Sequence, residues 1–346
     1  MHGLTYDGPG KISYHRQLPD PTIEAPGDVI IRVDRSGLCG SDLHTYEGRE
    51  HARAGVVPGH EAVGTVTGIG KTVAGFSVGD RVVVPFTTSC GTCKPCLIGL
   101  SARCENGSLF GWGDPDNLSA PAVNGGQASM LRVPLADGTL VPIPDGVSDA
   151  QAVLLTDNLP TGWYAAERSD PIEGEAALVV GLGSVGLSAV AALRALGADP
   201  VFAVDPAEDR LARAEMLGAS PLTPVAGSRR GVTSVVEAAG TKAAQGYAFQ
   251  SVRPGGTLSV IAVQTDAEFP FTPVNAYDAN ITVRFGRAPV RSVLNRMLPM
   301  IKSGALQIPD DVIVTHPTEA LEDGPDLYRA FADREPGLVK ALFATG

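Results

Sequence analysis

Charge, aromatic side chains and cysteine are all scarce in this 346-residue chain, and each scarcity removes a class of answer. Only 19% of the residues are charged and 5% aromatic, against 44% hydrophobic. That balance excludes a disordered, highly charged chain and predicts compact domains with cores of their own. Positive charge is the scarcer sign: 27 Lys and Arg face 38 Asp and Glu, a net charge of -11. A surface of that sign repels phosphate backbones and anionic lipid, so neither nucleic acid nor membrane is expected as a partner. Long apolar runs are missing too. Stretches such as Ala176–Val180 and Leu258–Val263 fall far short of the ~20 residues a bilayer demands. The opening residues, Met1-His2-Gly3-Leu4-Thr5-Tyr6-Asp7, carry no basic start and no apolar stretch, which predicts no secretory leader and a cytoplasmic protein. Five cysteines are an odd number, and a chain this large needs no disulfide staples.

The cysteines that are present are not scattered. Four of the five fall within 90–104, as Cys90-x2-Cys93-x2-Cys96-x7-Cys104, on a loop that also holds glycine and proline. Three ligands at intervals of three can wrap one tetrahedral ion and the fourth can close it. Four thiolates leave no open coordination position, so a zinc ion there is structural, fixing a lobe with almost no core. The competing reading is four cysteines that are free or paired as disulfides.

Two textures divide the chain. Residues 1–34 and 55–85 read as short strands punctuated by glycine, with Val29–Val33 the clearest strand. That style predicts a curled antiparallel barrel. Residues 106–126, rich in Gly, Asn, Asp and Pro, read as a long loop. From about residue 150, short apolar strands at 176–180, 201–204, 232–237, 258–263 and 281–285 alternate with helical stretches near 184–196, 207–217 and 241–252. Strands alternating with helices predict a parallel, doubly wound sheet, and hence an α/β protein. A helix over Arg291–Ser303 and a mixed tail leave that repeat and are expected to return to the first domain.

Within the second texture, Val179-Val180-Gly181-Leu182-Gly183-Ser184-Val185-Gly186 sets G-x-G-x-x-G at a strand end and a helix start. In that context the motif is a dinucleotide fingerprint, with Gly181, Gly183, Val185 and Gly186 as cofactor-binding positions. Gly181 allows the tight turn, Gly183 the approach of a pyrophosphate, and Gly186 close helix–strand packing. The helix N-terminus supplies free N–H groups, so an acidic protein can hold an anionic cofactor without a basic patch. The next strand ends on Asp205, nineteen residues after Gly186. A carboxylate there accepts hydrogen bonds from ribose hydroxyls and repels a 2′-phosphate, which predicts NAD rather than NADP, with Arg210 the nearby counter-argument. Asp205 followed by Pro206 also reads as a helix N-cap, and the two roles are compatible.

One octapeptide carries more chemistry than any other: Gly37-Leu38-Cys39-Gly40-Ser41-Asp42-Leu43-His44. Taken with Gly59-His60-Glu61 and Thr156-Asp157-Asn158-Leu159-Pro160-Thr161-Gly162, the cysteine lobe and the glycine fingerprint, in this order, the chain resembles the zinc-containing medium-chain alcohol dehydrogenases over essentially its whole length. Arg132–Asp137 and Leu154–Gly162 look most like the bacterial alcohol dehydrogenase and formaldehyde-dehydrogenase-like branches. The resemblance implies Cys39, His60 and Asp157 as protein ligands of a catalytic zinc, with Asp157 where many relatives carry a second cysteine. It implies Glu61 as a carboxylate able to approach the metal, although a buried ion-pair partner is the plainer reading. Asp42 matches the group that orients the histidine ligand. Ser41 and His44 resemble a relay that takes the hydroxyl proton from a zinc-bound alcohol and delivers it to solvent, a task for which a histidine titrating near neutral pH is suited. Thr161 matches a residue that steadies the nicotinamide, and Phe86 and Trp112 are candidates for the substrate pocket, with packing as the alternative for Trp112.

The expected architecture is a GroES-like, mainly β catalytic domain over 1–158 and 289–346, with a structural zinc lobe at 90–104, and a Rossmann domain over 159–288. The expected chemistry is reversible hydride transfer between a small-molecule alcohol, giving an aldehyde or ketone, and NAD, in a homodimer or homotetramer holding two Zn²⁺ per chain. A zinc-free quinone-reductase-like enzyme and a non-catalytic, cofactor-binding zinc protein are the rivals. The first has no use for the Cys39, His60 and Asp157 set, and the second has no use for Ser41 and His44.

Overall fold

The structure, a computed structural model, describes residues 1–113, 123–223, 231–264 and 268–345. Of the loop expected at 106–126, residues 114–122 therefore lie outside the described residues. The strands run in chain order β1 (Gly3–Gly8), β2 (Lys11–His15), β3 (Val29–Leu38), β4 (Ala62–Ile69), β5 (Arg81–Val84), β6 (Met130–Val133), β7 (Val141–Pro142), β8 (Ala177–Val180), β9 (Val201–Val204), β10 (Ser220–Pro221), β11 (Val232–Glu237), β12 (Val252–Val260), β13 (Thr282–Phe285), β14 (His316–Ala320) and β15 (Ala341–Ala344). Two units share them. One comprises Met1–Asp157, Pro289–Lys302 and Val314–Gly346, the other Asn158–Ala288 and Ser303–Ile313.

The first unit is built on β3. Its near half pairs with β4 on one side and β6 on the other, and its far half pairs with β4 and β15, all antiparallel. The sheet order is β14-β15-β3-β4-β5-β7, with β6 added on β3 and only β14–β15 parallel. Register shifts between Ile30 and Ile31 and between Val33 and Arg35 bend β3, as bulges do, and let the sheet curl. Period-2 alternation sends Val29, Ile31 and Val33 into one core with Val66, Val82, Val84 and Leu131. Leu38, at the other end of β3, packs in a second cluster with Leu4, Tyr6, Tyr328 and Phe343. The chain thus leaves a buried strand at Leu38 and enters the Cys39 loop from a fixed point.

In the second unit six parallel strands run β10-β9-β8-β11-β12-β13. Counted within the unit this is 3-2-1-4-5-6, the doubly wound Rossmann order, with its switch point between β8 and β11. Parallel strands need crossovers, which the helices Ser184–Ala195, Glu208–Met216 and Lys242–Ser251 supply. β8 is buried along its whole length, as expected for a central parallel strand. The helix Val290–Lys302 falls where a helix over Arg291–Ser303 is expected.

One expectation about the tail is corrected. Residues 303–313 group with the second unit, not the first, because helix Asp310–Ile313 contacts the two helices after β8 and β9, and Arg213 Nη1 donates to the Val312 carbonyl at 2.7 Å. Among the described residues, no helix is long and apolar enough to cross a membrane.

Candidate functional site

Four side chains converge in the first unit: Cys39, His60, Glu61 and Asp157 are all buried and their ligand atoms lie within 4.8 Å of one another. Three elements supply them. Cys39 follows β3 directly, His60 and Glu61 precede β4, and Asp157 follows the helix Asp149–Leu154, which a Ser148–Gln151 capping box starts. The Phe86 N–H donates to the Thr156 carbonyl at 3.3 Å and ties that last segment to the barrel. Cys39 Sγ lies 3.8 Å from Asp157 Oδ2, and His60 Nε2 lies 3.5 Å from the same oxygen. A tetrahedral zinc with bonds of ~2.0–2.3 Å separates its ligand atoms by roughly 3.3–3.8 Å. The donors are a thiolate, an imidazole and a carboxylate, a set that suits zinc, so residues and ion fit.

Asp42 serves two of these groups. Oδ1 meets His60 Nδ1 at 3.0 Å, and Oδ2 accepts the Cys39 N–H at 2.9 Å. With Nδ1 engaged, Nε2 is the nitrogen left to face an ion. Burial alone would depress His60, but the Asp42 carboxylate and its bonds to Asp157, Asp42 and Cys39 hold it well above its ordinary value. Burial and then Glu61 push the Cys39 thiol up. A cation at Nε2 reverses both tendencies, since it takes the place of the proton. Ser41 stands at a helix N-cap position without capping the helix; its Oγ lies 3.1 Å from His60 Nε2 instead. The Phe86 and Trp112 rings flank the His60 ring at 6.3 and 6.4 Å between centroids.

Residues that sequence reasoning missed lie behind the quartet. Glu61 pairs with Lys340, and both side chains are fully buried. Burial alone would lower Lys340, yet Glu61 beside it raises it. Gly37 makes room for the pair, because a Cβ there would stand 1.9 Å from Glu61 Oε2. Gln127 Nε2 donates to the Gly37 carbonyl at 3.1 Å, and its Oε1 accepts from the Tyr328 hydroxyl at 2.8 Å. A lysine inside the apolar run Leu338–Phe343 was the available signal.

The His44 expectation changes. Burial and then the Arg49 guanidinium push its pKa down to about 4, so the ring is uncharged at neutral pH instead of titrating there.

The second ligand set is the lobe. Cys90, Cys93, Cys96 and Cys104 bring their sulfurs within 4.8 Å of one another, with no disulfide among them. Cys93 Sγ and Cys104 Sγ stand 3.8 Å apart, far beyond a disulfide bond of ~2.05 Å and close to the edge of a ZnS₄ tetrahedron. Bonds from Thr92 draw Cys90 down to about 5, while burial and then Cys93 push Cys96 up to about 12. Four crowded sulfurs do not ionise together without a cation, and a dication ionises them all.

In the second unit the glycine motif behaves as its spacing predicts. Gly181 has φ +90°, and a Cβ on Gly186 would stand 1.8 Å from the Gly181 carbonyl oxygen, whereas a Cβ on Gly183 would meet nothing within 4 Å. That open space at a helix N-terminus is where a phosphate fits. Asp205 is buried at the end of β9. Its Oδ2 accepts the Leu182 N–H at 2.7 Å and its Oδ1 the Ala207 N–H at 2.9 Å, with Arg210 3.9 Å away. The next helix begins at Glu208 with Ala207 as N-cap, so Asp205 is not its cap. Val185 lies in the first turn of the helix after the motif, and Thr161 is buried in helix Asn158–Arg168. Sequence reasoning missed Glu237, fully buried at the end of β11. Its Oε1 accepts from Ala239 and Gly240 N–H groups in the turn that abuts Gly181.

Comparison with known proteins agrees with this geometry. Residues 25–145 match the family "Alcohol dehydrogenase GroES-like domain", and residues 184–303 match "Zinc-binding dehydrogenase". The chain is 39% identical to a Mycobacterium tuberculosis protein named "Probable zinc-binding alcohol dehydrogenase Rv1895", over 97% of this chain and 87% of that one. It is 35% identical to zinc-type alcohol dehydrogenase B of Aspergillus flavus, over 100% of this chain and 82% of that one. The structure of alcohol dehydrogenase TADH from Thermus sp. ATN1 superposes with a TM-score of 0.90 at 33% identity, covering 99% of both chains. The chain belongs to the zinc-containing medium-chain alcohol dehydrogenases, and is an oxidoreductase of that family.

Proposed function

We propose that the chain interconverts an alcohol and its aldehyde or ketone with NAD as hydride partner, using one zinc ion at Cys39, His60 and Asp157 and a second in the four-cysteine lobe. A single observation carries this reading: a hydroxyl, Ser41 Oγ, lies 3.1 Å from the metal-facing nitrogen of the quartet's histidine. A structural site needs no such neighbour. Zinc held there supplies Lewis-acid chemistry, which lowers the pKa of an oxygen substrate. Ser41 then receives the alcohol proton and His44 hands it toward solvent, while Asp42 keeps the His60 ring and the Cys39 loop in place. Phe86 and Trp112 wall the space beside His60, and Glu61, held by Lys340, brings a carboxylate oxygen within 4.8 Å of the ligand atoms of the other three. Of the rivals, the zinc-free enzyme is disfavoured by the quartet and the non-catalytic protein by Ser41.

Gly181, Gly183, Val185 and Gly186 receive the pyrophosphate, Asp205 the ribose, and Thr161 the nicotinamide end. The preference for NAD rests on Asp205, whose buried carboxylate opposes a 2′-phosphate. Asp205→Ser is expected to raise NADP efficiency relative to NAD by ~10-fold or more, about 1.4 kcal/mol. Parallel kcat/KM measurements check this, and a wild type that already prefers NADP defeats the argument.

A cytoplasmic setting suits a lobe of reduced thiols. A second copy of the chain is the proposed partner, since β13 is the outer strand of its sheet and Phe269, Tyr277 and Phe285 are exposed nearby. The decisive experiment pairs metal analysis with a panel of alcohols and aldehydes assayed with NAD and NADP. Two zinc ions per chain and NAD-linked turnover are expected; one ion or none, or no turnover on any alcohol, removes the catalytic reading.

A further inference from the structure

His44 has a neighbour that alcohol oxidation itself does not require. Arg49 lies just past Gly48, whose φ of +74° turns the chain back toward the helix Asp42–Tyr46. Arg49 Nε donates to Glu47 Oε2 at 2.7 Å, and its Nη2 lies 2.6 Å from Glu47. With the guanidinium seated in this way, Nη1 reaches His44 Nδ1 at 3.3 Å. Arginine offers donors only, so Nδ1 must present its lone pair and the neutral ring carries its proton on Nε2. The charged groups that act on the ring are Arg49, Glu47 and Asp42. The elements packed on its helix add uncharged contacts: Tyr6 of β1 donates to the Thr45 carbonyl, and Tyr328 of the helix Gly324–Ala332 meets the Tyr46 ring. The low pKa of about 4 accords with a half-buried imidazole that has a cation lodged beside it.

An imidazole passes a proton through itself only when one nitrogen takes a proton as the other gives one up. We propose that Arg49 is a positioning residue for His44: seated on Glu47, it occupies Nδ1 and fixes the Nε2–H tautomer, so the ring conducts a proton only when Arg49 swings off Nδ1. This rests on the relay role given to His44 above. In alcohol oxidation one proton enters at Nε2 and one leaves Nδ1 for water, which requires a ring that starts as the Nδ1–H tautomer. In carbonyl reduction the Nε2 proton moves inward and Nδ1 takes one from water. Each direction needs Nδ1 open, no electron moves, and the ring ends with the number of protons it started with.

The test is ¹⁵N NMR of the zinc-loaded full-length enzyme labelled at histidine, with His44→Gln to assign the resonance. The wild type is expected to hold the Nε2–H pattern from about pH 5 to pH 9. Arg49→Gln is expected to give a mixture of tautomers and to raise the His44 pKa by at least ~1 unit toward its ordinary ~6.5. Glu47→Gln, which unseats the guanidinium without removing it, is expected to mix the tautomers by less and to leave the pKa no higher than in Arg49→Gln, because the lost carboxylate had itself been raising it. An unchanged tautomer and pKa in Arg49→Gln overturns the proposal. The pH dependence of kcat is recorded on the same variants and is expected to move with the His44 titration while the alcohol KM stays put. Spectra that change with no change in the kcat profile uphold the hold of Arg49 on the ring and remove His44 from the relay.

Discussion

Cys39→Ser is expected to cut alcohol oxidation by on the order of 10³-fold or more while leaving NAD binding near its wild-type affinity. Cys39 and Asp157 bring the two negative charges that neutralise a dication, and a serine hydroxyl brings none at neutral pH. Removing half of that charge from a site where ligand atoms sit 3.5–3.8 Å apart expels the ion rather than weakening it slightly. Lewis-acid stabilisation of several kcal/mol goes with it, and ~4 kcal/mol is about a factor of 10³. The loop itself should survive, because Asp42 accepts the residue-39 backbone N–H whatever the side chain. The glycine fingerprint proposed to bind the cofactor belongs to the other unit. Zinc content falling from two ions to one, with NADH fluorescence titrating normally, is the expected pair of results. Full turnover with both zinc ions retained in this variant would remove Cys39 from the ligand set.

What the sequence disclosed is what short spacings encode. The glycine fingerprint is a local chain of turn, strand end and helix start, and Gly181 and Gly186 show close contacts that only glycine tolerates. The four lobe cysteines lie within 90–104, and their sulfurs converge. Cys39, His60 and Asp157 come from three separate segments, and only the resemblance joined them beforehand. The layer behind them was hidden for a physical reason. Lys340 is 279 residues from Glu61, and Tyr328 is 201 from Gln127, so only the closing of β15 and helix Gly324–Ala332 onto the barrel brings these groups together. Environment was equally illegible: His44 reads as a neutral-range titrating residue until burial and Arg49 are seen beside it. Asp205 followed by Pro206 suggested a helix cap, yet the strand end aims its carboxylate at the Leu182 N–H of the glycine loop.

Lys340→Met is expected to destabilise the first unit by about 3–5 kcal/mol, the usual cost of orphaning one member of a buried ion pair. Glu61 has no solvent to turn to, since both side chains are fully buried and Gly37 leaves no spare volume beside the carboxylate. For a unit of roughly this size, each kcal/mol shifts the thermal midpoint by about 2–4 °C, so a fall of roughly 10 °C is expected. The double variant Lys340→Met/Glu61→Gln separates pairing from packing. It removes the charge that the single change strands, and it is expected to recover most of the loss, since a buried pair replaced as a whole is often close to neutral. Catalysis should divide differently. With Lys340 gone, the Glu61 carboxylate, whose ligand atom lies within 4.8 Å of those of Cys39, His60 and Asp157, would compete for the open position of a zinc ion held by them, so the single variant should bind alcohol more weakly and the double variant less so. Calorimetry and alcohol KM on the three proteins test both parts. A single variant that melts with the wild type means that Lys340 does not neutralise Glu61, whereas a double variant no more stable than the single one assigns the loss to packing of the lysine chain.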